Sequence, residues 1–224
     1  MKAKKLIVVG DSAFAEIARE YFDFDSSYEV VAFSVERAFL KHKELHGLPV
    51  VAFEEIESFF DPATHYVYVA TVYTQLNRLR TRLANSAKRK GYQLASYVSS
   101  RSFVWRNVKI GEHSFIFEDN TVQPFVQIGS NVVLWSGNHI GHHSTIQNNC
   151  FISSHVVISG FCNIGENSFI GVNATLANNV SVGKDNWIGP NTTIMKSTDS
   201  GALYKSDQPE PAKVTATRFF KVKD

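Results

Sequence analysis

Every sixth residue from Val104 to Ile194 is aliphatic: Val104, Ile110, Ile116, Val122, Ile128, Leu134, Ile140, Ile146, Ile152, Ile158, Ile164, Ile170, Leu176, Val182, Ile188 and Ile194. With 44% of the chain apolar, such an unbroken series arises by chance about twice in a million trials, so period and not composition explains it. Neither the 3.6-residue period of a helix nor the two-residue period of a strand gives this spacing, whereas a hexapeptide solenoid does. Two residues before the aliphatic position sits a small or modest side chain, as at Ser114, Asn120, Val126, Cys150 and Ala174. Gly follows the aliphatic at 111, 129, 141, 165, 171, 183 and 189. The pattern predicts short strands that each send one large side chain inward and then turn a tight corner, with Gly and Asn supplying positive φ. Three such edges make a triangular coil of 18 residues, so residues i and i+18 stack about 4.8 Å apart. Parallel stacking satisfies the backbone from coil to coil and leaves edges only at the two ends.

The first hundred residues carry a different pattern. Leu6–Val9 reads as a buried strand, followed by a helix with Phe14, Ile17, Ala18, Tyr21 and Phe22 on one face. Val30–Phe33 and Tyr66–Ala70 read as further strands, 53–60 as a short helix, Leu76 to Ala87 as a longer helix closed by Gly91, and Leu94–Val98 as a last strand. Strand and helix in alternation predict a small parallel sheet of Rossmann type. Its first turn, Gly10-Asp11-Ser12-Ala13-Phe14, lacks the G-x-G-x-x-G of a dinucleotide site, and Asp11 puts a negative charge where a pyrophosphate docks. A plain turn and a nucleotide contact both stay open. Arg78, Arg80, Arg82, Lys88, Arg89 and Lys90 read as a solvated basic face from which a diphosphate could draw one or two contacts.

A formal charge of +2 leaves no basic excess for nucleic acid as the main partner. No run approaches 18 apolar residues and no secretory apolar stretch opens the chain, so a soluble, cytoplasmic protein off the membrane is expected. Cys150 and Cys162 both occupy the small inward position on different faces, and packed thiols are expected there.

Four of the eight histidines crowd into Asn138-His139-Ile140-Gly141-His142-His143 and Ser154-His155. His142 lies two residues past inward Ile140, at a corner where a side chain points outward, and Gly160 stacks beside it 18 residues on. A base and an unobstructed backbone N–H about 5 Å apart can flank one carbonyl group. A zinc solenoid of the γ-carbonic-anhydrase type needs three converging histidines. The separations 139 to 155, 143 to 155 and 113 to 139 do not match the 18-residue coil, so zinc ranks low and no metal is expected.

On these residues the chain resembles the bacterial nucleotide-sugar N-acetyltransferases of the hexapeptide-repeat class, related to the sialic acid O-acetyltransferases. The likeness runs nearly the whole length: a small βαβαβ N-terminal domain, the V-V-G-D-S opening, the solenoid, H-I-G-H-H-S, and S-H-V-V-I-S-G one coil on. It implies a Rossmann-like α/β nucleotide-sugar-binding domain over 1–100 and an all-β left-handed parallel β-helix acyltransferase domain over 101–195. A cap or tail follows over 196–224, where Tyr204, Pro209 and Pro211 are read as unable to continue the repeat, and Lys196 and Lys205 as candidate phosphate contacts. The implied reaction is acetyl transfer from acetyl-CoA to the amine of a UDP-, dTDP- or GDP-linked sugar, with O-acetylation of a hydroxyl as the alternative. A homotrimer with each site between two subunits is implied as well. Carried over by position, the base falls on His142, and His143 follows where members often have Glu. The N–H that holds the thioester oxygen falls on Gly160, and coenzyme contacts fall on Phe151, Val172 and Pro190. Nucleotide contacts fall on Ser12, Ala13, Phe14, Val35, Glu36 and Val72.

Overall fold

Leu6, Ile7, Val8 and Val9 are all buried, as the continuous apolar run of a strand covered on both faces requires. That strand, Lys4–Val9 (β1), lies between Tyr28–Val35 (β2) and His65–Val69 (β5), parallel to both. Beyond β2 the sheet gains a hairpin, Glu44–Leu45 (β3) and Leu48–Ala52 (β4), turned by His46 and Gly47 at positive φ. These two strands are additional to those expected from the sequence. Gln93–Leu94 (β6) closes the opposite edge, giving the order β3-β4-β2-β1-β5-β6. Leu6 and Val8 face the helix Ala13–Phe24 (α1), while Ile7 and Val9 face Ile56–Phe59 (α2) and Arg78–Arg89 (α3). Because strand order reverses at β1, a crevice opens at the carboxyl ends of β1, β2 and β5. The computed structural model describes residues 4–207 and 210–222, and Pro209 lies outside the described residues.

The predicted strand over Leu94–Val98 is two pieces. Gln93–Leu94 ends the first sheet and Tyr97–Val98 begins the next, so the chain passes from one sheet straight into the other. From there it winds as a parallel β-helix of two-residue strands placed every six residues. His139–Ile140 pairs with Thr121–Val122 below and Val157–Ile158 above, the 18-residue register of a triangular coil. Three parallel sheets result. The inward aliphatics form one core with the small positions before them, including Val126, Val132, Val156 and Ala174. Cys150 and Cys162 are free, buried thiols that donate to the carbonyls of Gly165 and Ala177 at 3.2 and 3.1 Å. Burial pushes the Cys150 thiol up to about 12.

Two expectations change. Positive φ falls three residues past the inward aliphatic, at Asn131, Asn149 and Asn167 for example, and not on the glycines that follow the aliphatic. Those glycines answer to close approach instead: a Cβ on Gly141 would stand 2.5 Å from the backbone nitrogen of Gly160, one coil on. The coil also continues beyond Ile194. Leu203–Tyr204 pairs with Trp187–Ile188 at an offset of sixteen residues (203 − 187), so the stretch read as unable to continue adds one shortened edge.

The first sheet of the β-helix presents Tyr97, Phe115, Phe151, Phe169 and Trp187 outward along one column, and the N-terminal layer docks on it. Phe14 of α1 meets Phe115, Phe117 and Trp135 there. Beside this aromatic seam runs a buried polar one. Wholly buried Arg80 donates to the side-chain and main-chain oxygens of Asn131 at 2.9 and 2.7 Å. His113 Nε2 accepts the Val69 N–H at 2.9 Å, and its Nδ1 bonds Asn131 Oδ1 at 2.7 Å. Arg78, Arg82, Lys88 and Arg89 keep the solvated face expected of the basic run, but three of them are engaged in ion pairs: Arg78 with Asp185, Arg82 with Glu36 and Lys88 with Glu112, while Lys90 at the helix end pairs with Glu57.

Burial lowers the His113 pKa to about 3, so the folded chain holds it neutral. An unfolded histidine titrates near ~6.5, so between these values the unfolded state binds the extra proton. Stability therefore falls as pH drops through that window, by up to about 1.4 kcal/mol per pH unit from this group. His113→Gln is expected to be less stable at pH 7 but to lose less on going to pH 5, measured by urea midpoints. Parallel losses in both proteins would remove His113 as the cause.

Candidate active site

The strand His139–Ile140 buries Ile140 and then turns at Gly141, which carries His142 and His143 to the outside of a corner. Both imidazoles are exposed. The His142 backbone N–H donates to the Gln123 side-chain oxygen at 2.9 Å, which ties the corner to the coil below. His142 Nδ1 lies 3.1 Å from His143 Nδ1, and the two rings stand at 87°. His143 is stacked between Phe125 and Phe161, while the edge of Phe161 also meets His142. Gly160 lies beside His142 as its spacing requires. A Cβ there would meet His142 Cε1 at 2.9 Å and Nε2 at 3.0 Å, so the imidazole occupies the place where any other residue at 160 would put its side chain. The Gly160 N–H is not open: it donates to Asn178 Oδ1 at 3.0 Å.

The histidine cluster otherwise disperses. His139 sits on the flat sheet before the corner, and His155 lies at a different corner, against Gly137. His113 belongs to the buried domain seam. Among the described residues no three His, Cys, Asp or Glu side chains converge as metal ligands. Val172 and Pro190 are exposed and share the corner that follows the aromatic sheet, one full edge away from His142. Phe151 does not reach either corner's surface. It is 3% exposed, stacked between Trp135 and Phe169 with Tyr73 against its edge, because the N-terminal layer covers its column.

The crevice at the sheet's carboxyl ends is a cavity of about 270 Å³. It gathers Ser12, Val35, Glu36 and Val72 of the expected nucleotide contacts. Ala13 opens α1 nearby, but the Phe14 side chain is turned away and buried in the aromatic seam. Glu36 accepts two bonds from Arg82, both 2.8 Å, and this guanidinium holds its carboxyl below the usual range. Thr71, Phe39 and Leu79 also line the cavity; helical spacing marked Leu79 as a packing position, and no pattern marked the other two. A second cleft, of about 640 Å³, brings Lys205 to Pro190 with Leu76, Trp187 and Leu203. Lys196 is exposed and not part of it.

Residues 125–178 match the family model described as bacterial transferase hexapeptide (six repeats), and 163–196 match the hexapeptide repeat of succinyl-transferase. The β-helix is thus similar over 125–196 to these hexapeptide repeats. Solved structures share its fold together with the N-terminal layer. The acetyltransferase domain of PglB from Neisseria gonorrhoeae is 21% identical with a TM-score of 0.81, the match covering 93% of this chain and all of that one. A histidine variant of perosamine N-acetyltransferase from Caulobacter crescentus, solved with CoA and GDP-perosamine, is 19% identical with a TM-score of 0.82 over 90% and 93% of the two chains. WeeI from Acinetobacter baumannii is 20% identical with a TM-score of 0.68, over 89% and 95%. No curated protein matches the chain in sequence.

The two corner glycines are predicted to respond differently. Gly141→Ala in the β-helix drives a methyl into backbone and should cost about 1–3 kcal/mol of stability. Gly160→Ala meets only a side chain that can rotate, so it should melt close to wild type while a crystal structure shows the His142 ring displaced. A native ring position in Gly160→Ala would mean that the cramped geometry is not what places it.

Proposed function

We propose that the chain is an acetyl-CoA-dependent N-acetyltransferase that acts on the amine of a nucleotide-linked amino sugar, with His142 as general base. The observation that carries this reading is the exposed imidazole whose Nδ1 is engaged by His143 and whose Nε2 lies at the open corner over Gly160. The nucleotide occupies the crevice lined by Ser12, Val35, Glu36 and Val72, with the first turn of α1, from Ala13 and Phe14, following Ser12 in the chain. The sugar amine then attacks the thioester carbonyl as Nε2 takes its proton. The tetrahedral intermediate collapses, the C–S bond breaks, and the coenzyme leaves as thiolate to be protonated. Imidazole is suited to this step because it changes charge near neutral pH. The Gly160 N–H serves the oxyanion once Asn178 gives up its bond, and one such donor contributes ~3 kcal/mol.

Support comes from likeness of fold to an enzyme solved with CoA and GDP-perosamine, and to a PglB domain solved with acetyl coenzyme A. Val172 and Pro190 occupy a different corner from His142, which favours a homotrimer in which a neighbouring copy brings its coenzyme contacts to this histidine. Exposed Phe103, Trp105, Phe125, Val157 and Phe161 on the intervening sheet and corner favour the same assembly. Phe151 enters this scheme as a support beneath Tyr73 and not as a coenzyme contact. No helix among the described residues is long and apolar enough to cross a membrane. Acetyl-CoA and nucleotide sugars as substrates place the reaction in the cytoplasm.

His142→Ala is expected to lower acetyl transfer by ~100-fold or more with unchanged melting, and unchanged turnover would exclude His142 as the base. Paired amino and hydroxy sugars on UDP, dTDP and GDP identify the acceptor. Transfer confined to the hydroxy sugars would convert the reading to O-acetylation. Saturating nucleotide sugar should raise Tm, by an amount equivalent to ~2.7 kcal/mol at 100 times Kd.

A further inference from the structure

Positive φ recurs every six residues along the solenoid, from His113 to Asn191. Among these described corner positions Asn, Asp, His or Gly stands at each one except 125 and 161, where Phe adopts φ of 65° and 59°. Short polar side chains bond locally in the left-handed conformation, whereas a bulky ring is disfavoured there. The two exceptions share one column, and the residue between them is His143, itself at φ 59°. Ring centroids lie 4.6 Å apart at 25° for Phe125 and His143, and 4.8 Å apart at 17° for His143 and Phe161. Disfavoured backbone on both sides of one imidazole points to a use for that imidazole.

We infer that His143, clasped between Phe125 and Phe161, is a positioning residue that sets the tautomer of His142 and shares the proton His142 takes from the acceptor. The inference rests on the proposed role of His142 as base. Two ring nitrogens 3.1 Å apart share one hydrogen, one donating and the other accepting. Were His143 the donor, neutral His142 would carry its proton on Nε2, and the nitrogen facing the open corner would have no lone pair. The reverse arrangement makes a base: His142 Nδ1–H donates to His143 Nδ1, and His143 keeps its own proton on Nε2.

The proton count then closes. The acceptor nitrogen gives its proton to His142 Nε2, and the Nδ1 proton of His142 passes along the existing bond to His143 Nδ1. His142 is left neutral with hydrogen on Nε2, and His143 is protonated on both nitrogens. The faces of Phe125 and Phe161 stabilise that cation through their ring quadrupoles. Both rings are more than half exposed, at 55% and 54%, so the clasp leaves the charge in reach of water. Loss of the Nε2 proton of His142 to the departing thiolate or to solvent, with return of the shared proton along the same bond, restores the pair. Apart from each other, the two imidazoles meet Phe125, Phe161 and Gly160, and Gln123 holds the His142 backbone N–H; none of these four titrates.

The test compares pH profiles of acetyl transfer for the full-length wild type and three variants. His143→Glu offers a stronger acceptor to Nδ1–H, so kcat should stay within about threefold and the acid limb should move to higher pH. His143→Phe keeps the stack but offers no acceptor, so kcat should fall about 10–100-fold, with the acid limb at lower pH and KM for acetyl-CoA unchanged. Phe161→Asn installs the preferred corner residue, so Tm should hold or rise while kcat falls. Coincident acid limbs in the Glu and Phe variants, or full kcat in Phe161→Asn, would overturn the inference. Nitrogen-15 shifts of the two imidazoles read the tautomers without turnover, with Nδ1–H on His142 and Nε2–H on His143 expected. Finding Nε2–H on neutral His142 sinks the pairing even in an active enzyme. Failure of the wild type to acetylate any nucleotide amino sugar sinks the broader reading instead.

Discussion

A coil of constant length, stacked in register on the next, is the constraint from which the rest of this molecule follows. Each backbone N–H of a strand finds the carbonyl of the coil beside it: His139 N–H donates to Val156 and Gly141 N–H to Ile158, at 2.9 and 2.7 Å. Dropping one residue would break that ladder for every later strand on the same face. The stacking also turns the chain into columns, so that a side-chain type is in effect chosen for a whole edge. Aliphatic columns make the core, Asn columns make corners, and an aromatic column makes one outer face sticky.

That aromatic face decides where the N-terminal layer sits. Phe14 and Phe22 of α1 lie against Phe115, and the polar contacts of Arg80, His113 and Asn131 then fix the register of docking. Arg78 and Lys88 of α3 join the two parts through Asp185 and Glu112, while Arg82 pairs with Glu36 inside the N-terminal layer. Buried polar groups are stabilising only when satisfied, and the pairing of His113 with both Val69 and Asn131 meets that demand on two sides of the seam. The crevice at the sheet's carboxyl ends is thereby held at one orientation to the solenoid corners.

The corner that carries His142 draws on the same stacking. Gly160 is there because the His142 ring of the coil below it needs the room, and Gly141 because the corner above it needs the room. The residue types at one position of one column, Phe125, His143, Phe161 and then Asn179, share a backbone conformation but have different chemistry. A repetitive scaffold therefore concentrates its distinctive residues where local preference is overridden.

Much of this was legible along the chain. The six-residue period placed Ile140 inside, His142 outside and Gly160 beside it, because in a solenoid a fixed sequence offset is a fixed distance in space. By the same arithmetic Phe125 and Phe161 could have been placed against His143, and Asn178 against the Gly160 amide. Tertiary structure alone decided the fate of Phe151, Arg80 and His113, along with the cavity walls at Thr71 and Leu79. These residues meet partners in another element, and no constant offset in sequence relates a helix of the N-terminal layer to the coil it covers. Periodic contacts are written in the spacing of residues, whereas docking contacts depend on how two finished surfaces fit.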